Sequence, residues 1–399
     1  MKRKIILKRG RDESIKRFHP WVFSGGIVRI DGDVAEGDIV EVVSSSGDTL
    51  GYGHYQIGSI AVRMLTFGEV APDKGFWLDR LSSAYKVRES AGVIRDDNNA
   101  YRLIHGEGDM LPGLIVDIYG ETAVLQAHSV GMFLAREEIA EALKSLYGDK
   151  LASVYDKSSS TAPFKASLEL MDQYLLGKGD GVEVVSENGL LFSVDWIHGQ
   201  KTGFFLDQRD SRALIGNYSS GRRVLNLFCY TGGFSIYAMA NGAISVDSVD
   251  SSAKAMSMLE KNIEINKSAL NISLDAKHQS YTEDAIDFLK NSPDNKYDLI
   301  IVDPPAFAKH RGALQNALRA YQRLNAAAIS KVSRGGIIFT YSCSQVVDKI
   351  AFAETIFSAA ASTGREVRIL HRLTQPADHP VNIYHPEGEY LKGLVLYVE

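Results

Sequence analysis

From about residue 191 onwards, short apolar runs alternate with segments of helical periodicity. Four runs have the length and composition of buried strands: VLNLF (224–228), ISVDSVD (244–250), YDLIIVD (297–303) and GGIIFTYS (335–342). Before the last run, an apolar helix face is formed by Leu314, Leu318, Tyr321 and Leu324. We expect that helix to end at Arg334-Gly335-Gly336. Apolar strands that alternate with helices predict a mostly parallel sheet covered on both faces, so this part of the chain belongs to the α/β class.

Residues 1–190 show a different secondary-structure pattern. Residues 1–70 contain short β-rich runs joined by turn signals such as Asp31-Gly32, and they predict a small β-barrel domain. Residues 71–190 combine helical stretches with hairpins that turn at Tyr119-Gly120 and Asn188-Gly189, and they predict an α+β central domain. The sequence therefore predicts three domains, the third spanning residues 191–399.

Composition and charge restrict the class of protein. No run approaches the roughly 20 apolar residues of a membrane span, and two cysteines do not make a disulfide framework. We therefore expect a cytoplasmic protein with no membrane partner. The net charge is −5, yet residues 1–30 contain nine Lys or Arg. That basic cluster is either a docking surface for nucleic acid or a solvated face, and charge alone favours neither.

In an α/β sheet, ligands bind beyond the carboxyl ends of the strands, near the point where strand order reverses. At the first such end, Asn226 and Phe228 lead into Thr231-Gly232-Gly233 at a helix N-terminus. This turn offers backbone N–H groups to an anion, although a tight strand–helix turn without a ligand also uses glycine. The segment lacks the G-x-G-x-x-G of dinucleotide-binding enzymes, which argues against a nicotinamide dehydrogenase.

Asp250 ends the second predicted strand, about 20 residues after the glycine turn. An acidic residue at this position accepts hydrogen bonds from both hydroxyls of a cofactor ribose. The alternative is a helix cap, because Ser251-Ser252-Ala253 follows as a plausible helix start. We favour the cofactor role.

The third strand ends in Asp303-Pro304-Pro305, followed by Ala306 and Phe307. Two prolines stiffen the backbone, so a carboxylate and an aromatic ring are held at the strand end. This arrangement suits the binding of a flat base taken out of its stack. A purely structural turn is the alternative interpretation.

Cys343 follows the fourth strand, between two serines. A lone thiol there is either a small buried filler or a nucleophile. If its strand neighbours the strand before Asp303, the thiol and the carboxylate share one rim of the sheet. The other cysteine, Cys229, lies inside the glycine turn, where a packing role is the better interpretation.

These segments, in this order, resemble those of class I S-adenosylmethionine-dependent methyltransferases. More narrowly, GQKTGFFLDQR (199–209) followed by NLFCYTGGFS, DPPAF and YSCS is similar to the ribosomal RNA large subunit methyltransferase I family, which forms 5-methylcytidine in large-subunit (23S) ribosomal RNA. The resemblance covers the whole chain: residues 1–70, with HPWVF, resemble the family's RNA-binding PUA domain, and YRLIHGEGD (101–109) its central domain. The resemblance implies a C-terminal Rossmann-like domain, S-adenosylmethionine as the cofactor and ribosomal RNA as the partner. It does not decide whether the protein forms a homodimer.

The resemblance also implies roles for individual residues. Cys343 is the implied nucleophile. Asp303 is the implied acidic residue that contacts both the cofactor and the target cytosine. The implied cofactor-binding residues are Gln208, Arg209, Asn226, Phe228, Thr231, Gly232, Asp250, Asp284 and Asp303. Asp284 would meet the adenine amino group, although an exposed acid in a first helical turn fits as well. The expected RNA contacts are Pro304, Pro305, Phe307, Lys2, Arg3, Lys4 and Arg9, and Trp21 is either a stacking or a core residue.

Cytosine C5 is a poor nucleophile, so its methylation requires a thiolate that adds to C6 and places electron density on C5. We expect the site to lower the thiol pKa, with Ser342, Ser344 and backbone N–H groups at the strand end as donors. Ala306 stands where a larger group of RNA cytosine methyltransferases carries a second cysteine, so Asp303 or a water would remove the C5 proton. Two rival functions remain. Methylation of a ring nitrogen such as guanine N7 needs no thiol, and a non-catalytic RNA-binding assembly factor would not bind the cofactor.

Overall fold

The computed structural model describes residues 3–163, 169–270, 276–308 and 310–399. The chain forms two compact units, each assembled from three segments. The first comprises Met1–Val185, Val194–Leu206 and Ala377–Gly388, and the second comprises Ser186–Ser193, Asp207–Pro376 and Glu389–Glu399. Because the first unit takes in both predicted N-terminal domains, the division into three domains stays a prediction.

The N-terminal strands of the first unit make a six-stranded sheet. Its elements are β1 (Lys4–Leu7), α1 (Glu13–Lys16), β2 (Trp21–Phe23), β3 (Ile27–Asp31), β4 (Ile39–Val43), β5 (Thr49–Tyr55) and β6 (Ile60–Phe67). The strand order is β2-β6-β5-β4-β1-β3, and the pairing is antiparallel except between β1 and β4. Alternate side chains such as Ile5 and Leu7 are fully buried, as expected for strands with one face on a core.

The rest of the first unit is built on a five-stranded sheet. Its elements are α2 (Phe76–Ser90), β7 (Ala100–His105), β8 (Leu114–Tyr119), β9 (Thr122–Ala127), α3 (Val130–Leu134), α4 (Arg136–Tyr147), β10 (Ser153–Asp156) and β11 (Gln173–Leu176). The strand order is β11-β10-β9-β8-β7. The predicted turn at Tyr119-Gly120 joins β8 to β9, which pair antiparallel.

A hairpin comes next, consisting of β12 (Val182–Glu187) and β13 (Leu190–Asp195). Its turn residues Asn188 and Gly189 have φ values of 51° and 78°. Two left-handed residues are the requirement of the tight hairpin turn that the Asn-Gly pair predicts, so this prediction is confirmed.

The second unit contains the predicted α/β sheet. Its elements are α5 (Arg209–Ser219), β14 (Arg223–Leu227), α6 (Gly233–Ala240), β15 (Ser245–Asp250), α7 (Ala253–Leu270), β16 (Lys277–Thr282), α8 (Ala285–Asn291), β17 (Tyr297–Val302), α9 (Leu314–Lys331), β18 (Val332–Ser342), α10 (Lys349–Thr363), β19 (Val367–Leu373) and β20 (Lys392–Val398). The strand order is β16-β15-β14-β17-β18-β20-β19. All strands are parallel except β20, which is antiparallel to both of its neighbours. Strand order reverses between β14 and β17, where a ligand site is expected.

The predicted end of the helix before β18 is wrong. Helix α9 ends at Lys331, and Gly335-Gly336 lies inside β18. In the register with β17, Tyr297 pairs with Val332 and Leu299 pairs with Ile337. The glycines therefore belong to a bulge in a strand, which needs the left-handed φ of 73° at Gly335. Within the described ranges, no helix combines the length and apolarity that a membrane crossing requires.

Candidate methyl-transfer site

The predicted site residues follow five strands whose carboxyl ends lie at one edge of the sheet. Phe228 follows β14, Asp250 ends β15, Asp284 comes shortly after β16, Asp303 follows β17 and Cys343 follows β18. Strands β17 and β18 pair in parallel, with Val302 opposite Thr340. The expectation that the strands before Asp303 and Cys343 are neighbours is confirmed.

The turn after β14 has an unusual backbone. Phe228 and Tyr230 have φ values of 58° and 47°, and Gly232 has a φ of 82°. Left-handed conformations are costly for aromatic residues and occur mainly where function requires them. A Cβ atom on Gly232 would lie 2.0 Å from Leu259 Cδ1, so the third position has both a conformational and a steric need for glycine.

Asp250 holds this turn. Its carboxylate accepts hydrogen bonds from the backbone N–H of Tyr230 and of Ser252, each at 2.9 Å. The capping bond of α7 comes instead from Ser252, whose Oγ accepts from the N–H of Ala255 at 3.2 Å. The helix-cap alternative for Asp250 is therefore wrong, and its carboxylate lies half-buried beside the glycine turn.

Asp284 is an N-cap. Its Oδ1 accepts hydrogen bonds from the N–H groups of Ile286 and Asp287, at 2.9 and 3.0 Å, and the residue is exposed. The alternative interpretation as an acid at a helix start thus describes its contacts. Both bonds use the same oxygen, and the proposed contact with adenine stays a prediction.

Asp303 lies among other polar groups. Gln208 Nε2 donates a hydrogen bond to its Oδ2 at 3.1 Å. Burial and the nearby Asp207 carboxylate raise the pKa of Asp303 to about 7, an effect that the Gln208 hydrogen bond opposes. Tyr390 Oη in turn donates to Asp207 at 2.7 Å. Asp303 is therefore poised to exchange a proton near neutral pH.

Two amide oxygens at this edge have unsatisfied hydrogen-bonding capacity. Gln208 Oε1 and Asn226 Oδ1 are buried and have no hydrogen-bond partner among the described residues. The Asn226 amide group donates to Ser235 Oγ at 2.8 Å, which fixes its orientation. A buried acceptor without a partner costs about 1–3 kcal/mol, so these atoms fit a ligand that carries hydrogen-bond donors.

The Cys343 thiol is half-buried, unlike Cys229, which is 4 % exposed and packs its sulfur 3.5 Å from Met256 Sδ. Burial and the carboxylates of Asp303 and Asp207 raise the pKa of Cys343 to about 11. The expectation of a lowered thiol pKa is therefore wrong, because two acidic groups and a partly apolar setting disfavour the thiolate.

The serines beside Cys343 are not the expected donors to its thiol. Ser342 donates its hydroxyl hydrogen to Tyr321 Oη at 3.0 Å, and Ser344 donates to the carbonyl of Ala308 at 2.7 Å. These bonds fix the end of β18 instead.

Lys392 supplies a cation next to the thiol. It pairs with Ser342 across β18 and β20, and its Nζ donates to the carbonyls of Ser344 and Tyr390, both at 2.6 Å. Its charge lowers the pKa of Cys343, while burial lowers the pKa of Lys392 itself to about 8. No sequence pattern marks Lys392, because only the antiparallel pairing of β20 with β18 brings it to the strand end.

The Asp-Pro-Pro segment holds one ring firmly. The Phe307 ring lies 4.7 Å from the Tyr321 ring, centroid to centroid, and Phe307 is half-buried. Pro304 is buried, whereas Pro305 is exposed. Their contacts with substrate stay predictions.

Comparison with known proteins identifies the family. A model of PUA-like domains matches residues 5–67, and a model of S-adenosylmethionine-dependent methyltransferases matches residues 170–388. The ribosomal RNA large subunit methyltransferase I of Aeromonas salmonicida is 39 % identical over 98 % of both chains. Its namesake in Escherichia coli is 37 % identical over 99 % of both chains. The chain belongs to this family.

The fold also matches solved structures. A protein described as a methyltransferase and crystallised with SAH aligns over 100 % of both chains, with a TM-score of 0.83 and 23 % identity. At that identity the likeness establishes the fold alone. It agrees with the expected α/β class, with a Rossmann-like methyltransferase domain preceded by PUA-like strands.

The members of the methyltransferase family use S-adenosylmethionine, and the residues at the sheet edge fit it. The unpartnered acceptors of Gln208 and Asn226 suit its ammonium and amino donors. Asp250 lies at the end of the strand next to the glycine turn, where a ribose is expected. The individual contacts of Phe228, Thr231 and Gly232 with the cofactor stay predictions.

Arg209 lies within a buried ion cluster beside the site. Its Nε is 3.8 Å from Glu187 Oε2, and Arg212 donates to both oxygens of Glu187 at 2.7 and 2.6 Å. A Cβ atom on Gly233 would lie 2.9 Å from Arg212 Cδ, so the arginine stem supports the glycine turn. The pairing of Arg212 with Glu187 could not be predicted from the sequence. One residue is in a helix and the other in a hairpin, and no sequence pattern links the two.

The N-terminal basic cluster is partly neutralised. Arg3 forms an ion pair with Asp38 at 2.8 Å, and Lys4 lies 3.3 Å from Glu41. Arg9 is exposed, and Lys2 lies outside the described residues. Trp21 is half-buried and donates its indole N–H to Glu107 at 2.9 Å, which supports a packing role.

Proposed function

We propose that this enzyme methylates C5 of a cytosine in large-subunit ribosomal RNA through a covalent bond between Cys343 and cytosine C6. The observation that carries the proposal is the pairing of β17 with β18, which brings Asp303 and Cys343 to adjacent strand ends. A methyltransferase acting on a ring nitrogen has no use for a half-buried thiol there.

The nucleophile must first lose its proton. With a pKa of about 11, the Cys343 thiol is almost entirely protonated at pH 7. The Lys392 ammonium favours the thiolate, and protonation of Asp303, whose pKa is about 7, removes a charge that opposes it. We therefore assign Lys392 to thiolate stabilisation and neutral Asp303 to the reactive state.

Addition of the thiolate then requires a place for the electrons. The sulfur forms a bond to C6, and the electron pair of the C5–C6 bond becomes available at C5. Protonated Asp303 gives its proton to cytosine N3, which makes the ring a better acceptor of electrons and leaves Asp303 ionised. S-adenosylmethionine, when bound, supplies an electrophilic methyl group on its sulfonium. The glycine turn and Asp250 orient the bound cofactor at the same edge.

Product release reverses the addition. A base removes the C5 proton, the C5–C6 double bond re-forms, and the C6–sulfur bond breaks to return the Cys343 thiolate. Ala306 has no group for this task. Asp303, ionised after it has given its proton to N3, is the base we assign, and the proton on N3 is then released to water.

The RNA substrate is supported by the names of the relatives and by the PUA-like match over residues 5–67. Sequence-specific RNA recognition uses bases that are splayed out and stacked on aromatic side chains. Phe307, fixed against Tyr321, is the ring we assign to the target base.

A trapping experiment tests the proposal. The protein is incubated with S-adenosylmethionine and large-subunit RNA containing 5-fluorocytidine, whose fluorine does not leave as the C5 proton does. The wild type and Cys229→Ser should form a covalent RNA adduct that survives denaturing electrophoresis, and Cys343→Ser should not. Methyl transfer to unmodified RNA without an adduct would instead favour methylation of a ring nitrogen. Absence of both cofactor binding and methyl transfer would favour a non-catalytic assembly factor.

A further inference from the structure

A second group of chemically active side chains lies in the first unit. It consists of His19, just before β2, and of His385 and Glu387, in the Ala377–Gly388 segment, and each residue offers one metal-binding atom. The three atoms, one from each side chain, lie within 4.8 Å of one another. None of these residues takes part in the proposed methyl transfer.

His385 is the most unusual member of the group. It is 3 % exposed, and neither Nδ1 nor Nε2 has a hydrogen-bond partner among the described residues. Its Nε2 lies 3.8 Å from Glu387 Oε2. Burial of an imidazole with both nitrogens unsatisfied is costly, so the ring requires a partner that the described protein groups do not supply.

The surroundings hold both histidines in place. The ring centroids of His385 and Trp21 are 4.3 Å apart in an edge-to-face contact. His19 Nδ1 accepts a hydrogen bond from the backbone N–H of Trp21 at 3.2 Å and lies 3.3 Å from the Trp21 carbonyl oxygen. These two contacts fix the orientation of the His19 ring beside β2.

We propose that His19, His385 and Glu387 bind one divalent transition-metal ion, with zinc the best match. Two imidazoles and one carboxylate, with a fourth position open to water, form a common zinc ligand set. The three ligand atoms lie within 4.8 Å of one another. This spacing is wider than that of a tetrahedral site, in which each ligand atom lies about 2.0–2.1 Å from the ion. Closure is feasible because Glu387 is 61 % exposed and free to adopt another rotamer.

The proposed ion would link two segments that are far apart in sequence. His19 belongs to the turn before β2, whereas His385 and Glu387 lie between β19 and β20. Cross-linking distant segments restricts the unfolded chain and so stabilises the folded unit. The proposed effect of the ion is on the stability of the first unit, and it is independent of the methyl-transfer chemistry.

The test uses the full-length protein after removal of metals with a chelator. Zn²⁺ is titrated in competition with a chromophoric chelator, and Co²⁺ is titrated separately while its visible absorption is recorded. We expect one strongly bound Zn²⁺ per chain, a higher melting temperature, and the intense Co²⁺ bands of a four-coordinate site. Glu387→Gln and His385→Gln should each weaken Zn²⁺ binding by roughly tenfold or more.

The control is His198→Gln, which removes a 66 % exposed histidine of the first unit that lies 3.3 Å from Asp195. It should bind Zn²⁺ as the wild type does. Glu387→Gln alters an exposed side chain and is expected to fold even if His385→Gln does not. Failure of the wild type to bind stoichiometric Zn²⁺, or equal affinity in wild type and Glu387→Gln, would overturn the proposal. Equal losses in Glu387→Gln and His198→Gln would also overturn it, because the ion would then bind elsewhere.

Discussion

Gln208 donates a hydrogen bond from its side-chain amide to the Asp303 carboxylate at 3.1 Å. This bond crosses from the start of α5 to the end of β17 and joins the segment most characteristic of the family to the proposed acid. It favours the ionised carboxylate, whereas burial and Asp207 favour the neutral form more strongly. The result is an acidic group that titrates near neutral pH.

Asp303→Asn should make the protein more stable at pH 8 and abolish methyl transfer. The folded pKa of about 7 lies above the ordinary value of 3.8, so the folded state binds the proton more tightly than the unfolded state. Wild-type stability therefore falls as pH rises from about 4 to about 7. Asparagine does not titrate, and we expect it to gain roughly 1–3 kcal/mol at pH 8 and much less at pH 5.

Urea unfolding at the two pH values measures this difference. S-adenosylmethionine binding, measured by calorimetry, should survive in Asp303→Asn. If binding and activity disappear together, Asp303 holds the cofactor and is not the acid for cytosine N3. If the difference in stability between Asp303→Asn and the wild type were the same at both pH values, the raised pKa of Asp303 would be contradicted.

Alkylation of Cys343 should accelerate with pH and depend on Lys392. In a Cys229→Ser background the only remaining thiol is Cys343, and iodoacetamide labels it through the thiolate. With a pKa of about 11, the rate should rise about tenfold per pH unit between pH 7 and 10. Lys392→Met should react more slowly below pH 8, because the ammonium that stabilises the thiolate is lost.

Above pH 8, the alkylation rates with and without the Lys392→Met change should differ less. Lys392 has a pKa of about 8 and is then largely neutral. Lys349→Met is the control, because that lysine is 70 % exposed and pairs with Glu389. Identical alkylation rates at pH 7 with and without the Lys392→Met change would refute the assignment of Lys392.

Glu187→Gln should destabilise the second unit strongly. The change leaves Arg212 and Arg209 buried without their counterion, and breaking a buried pair from one side typically costs 3–5 kcal/mol. Urea unfolding followed by circular dichroism measures the loss. Glu137→Gln, at a 75 % exposed position, should change stability by less than about 0.5 kcal/mol. A loss below about 1 kcal/mol in Glu187→Gln would mean that the cluster contributes little.

Gly232→Ala should weaken cofactor binding and destabilise the protein. The new methyl group meets Leu259 Cδ1 at 2.0 Å, and the backbone has a φ of 82°. Gly221→Ala is the matched control, since Gly221 has a φ of 69° with open space around its Cβ position. The control isolates the backbone strain, of about 1 kcal/mol. We expect Gly232→Ala to cost clearly more, as measured by urea unfolding and by calorimetry with S-adenosylmethionine.

Arg9→Ala should reduce RNA affinity and its salt dependence. Each phosphate contact that is lost lowers the slope of log affinity against log salt by about 0.7–0.9. Arg3→Ala should have a smaller effect, because Asp38 already neutralises that guanidinium. Binding of a large-subunit RNA fragment at several salt concentrations measures both. Unchanged slopes in both variants would make the basic cluster a solvated face.

The sequence predicted where the site residues lie in the sheet better than it predicted their protonation. Apolar runs ending in Asp250, Asp303 and Cys343 marked strand ends, and parallel strands bring such ends together. The thiol pKa was predicted in the wrong direction, because burial and the position of Asp207 depend on tertiary packing. The glycines after α9 resembled a helix end, and only pairing with β17 identifies them as a bulge. No pattern along the chain joins Glu187 to Arg212.

The three-segment composition of each unit has a consequence for how the protein is made. The first unit includes Ala377–Gly388, so a ribosome has synthesised almost the whole chain before that unit has all of its residues. N-terminal domains usually fold as units during synthesis, while later domains are still incomplete. Here the first unit has all of its residues only after Gly388 has been synthesised, and a chain truncated after Pro376 lacks part of both units.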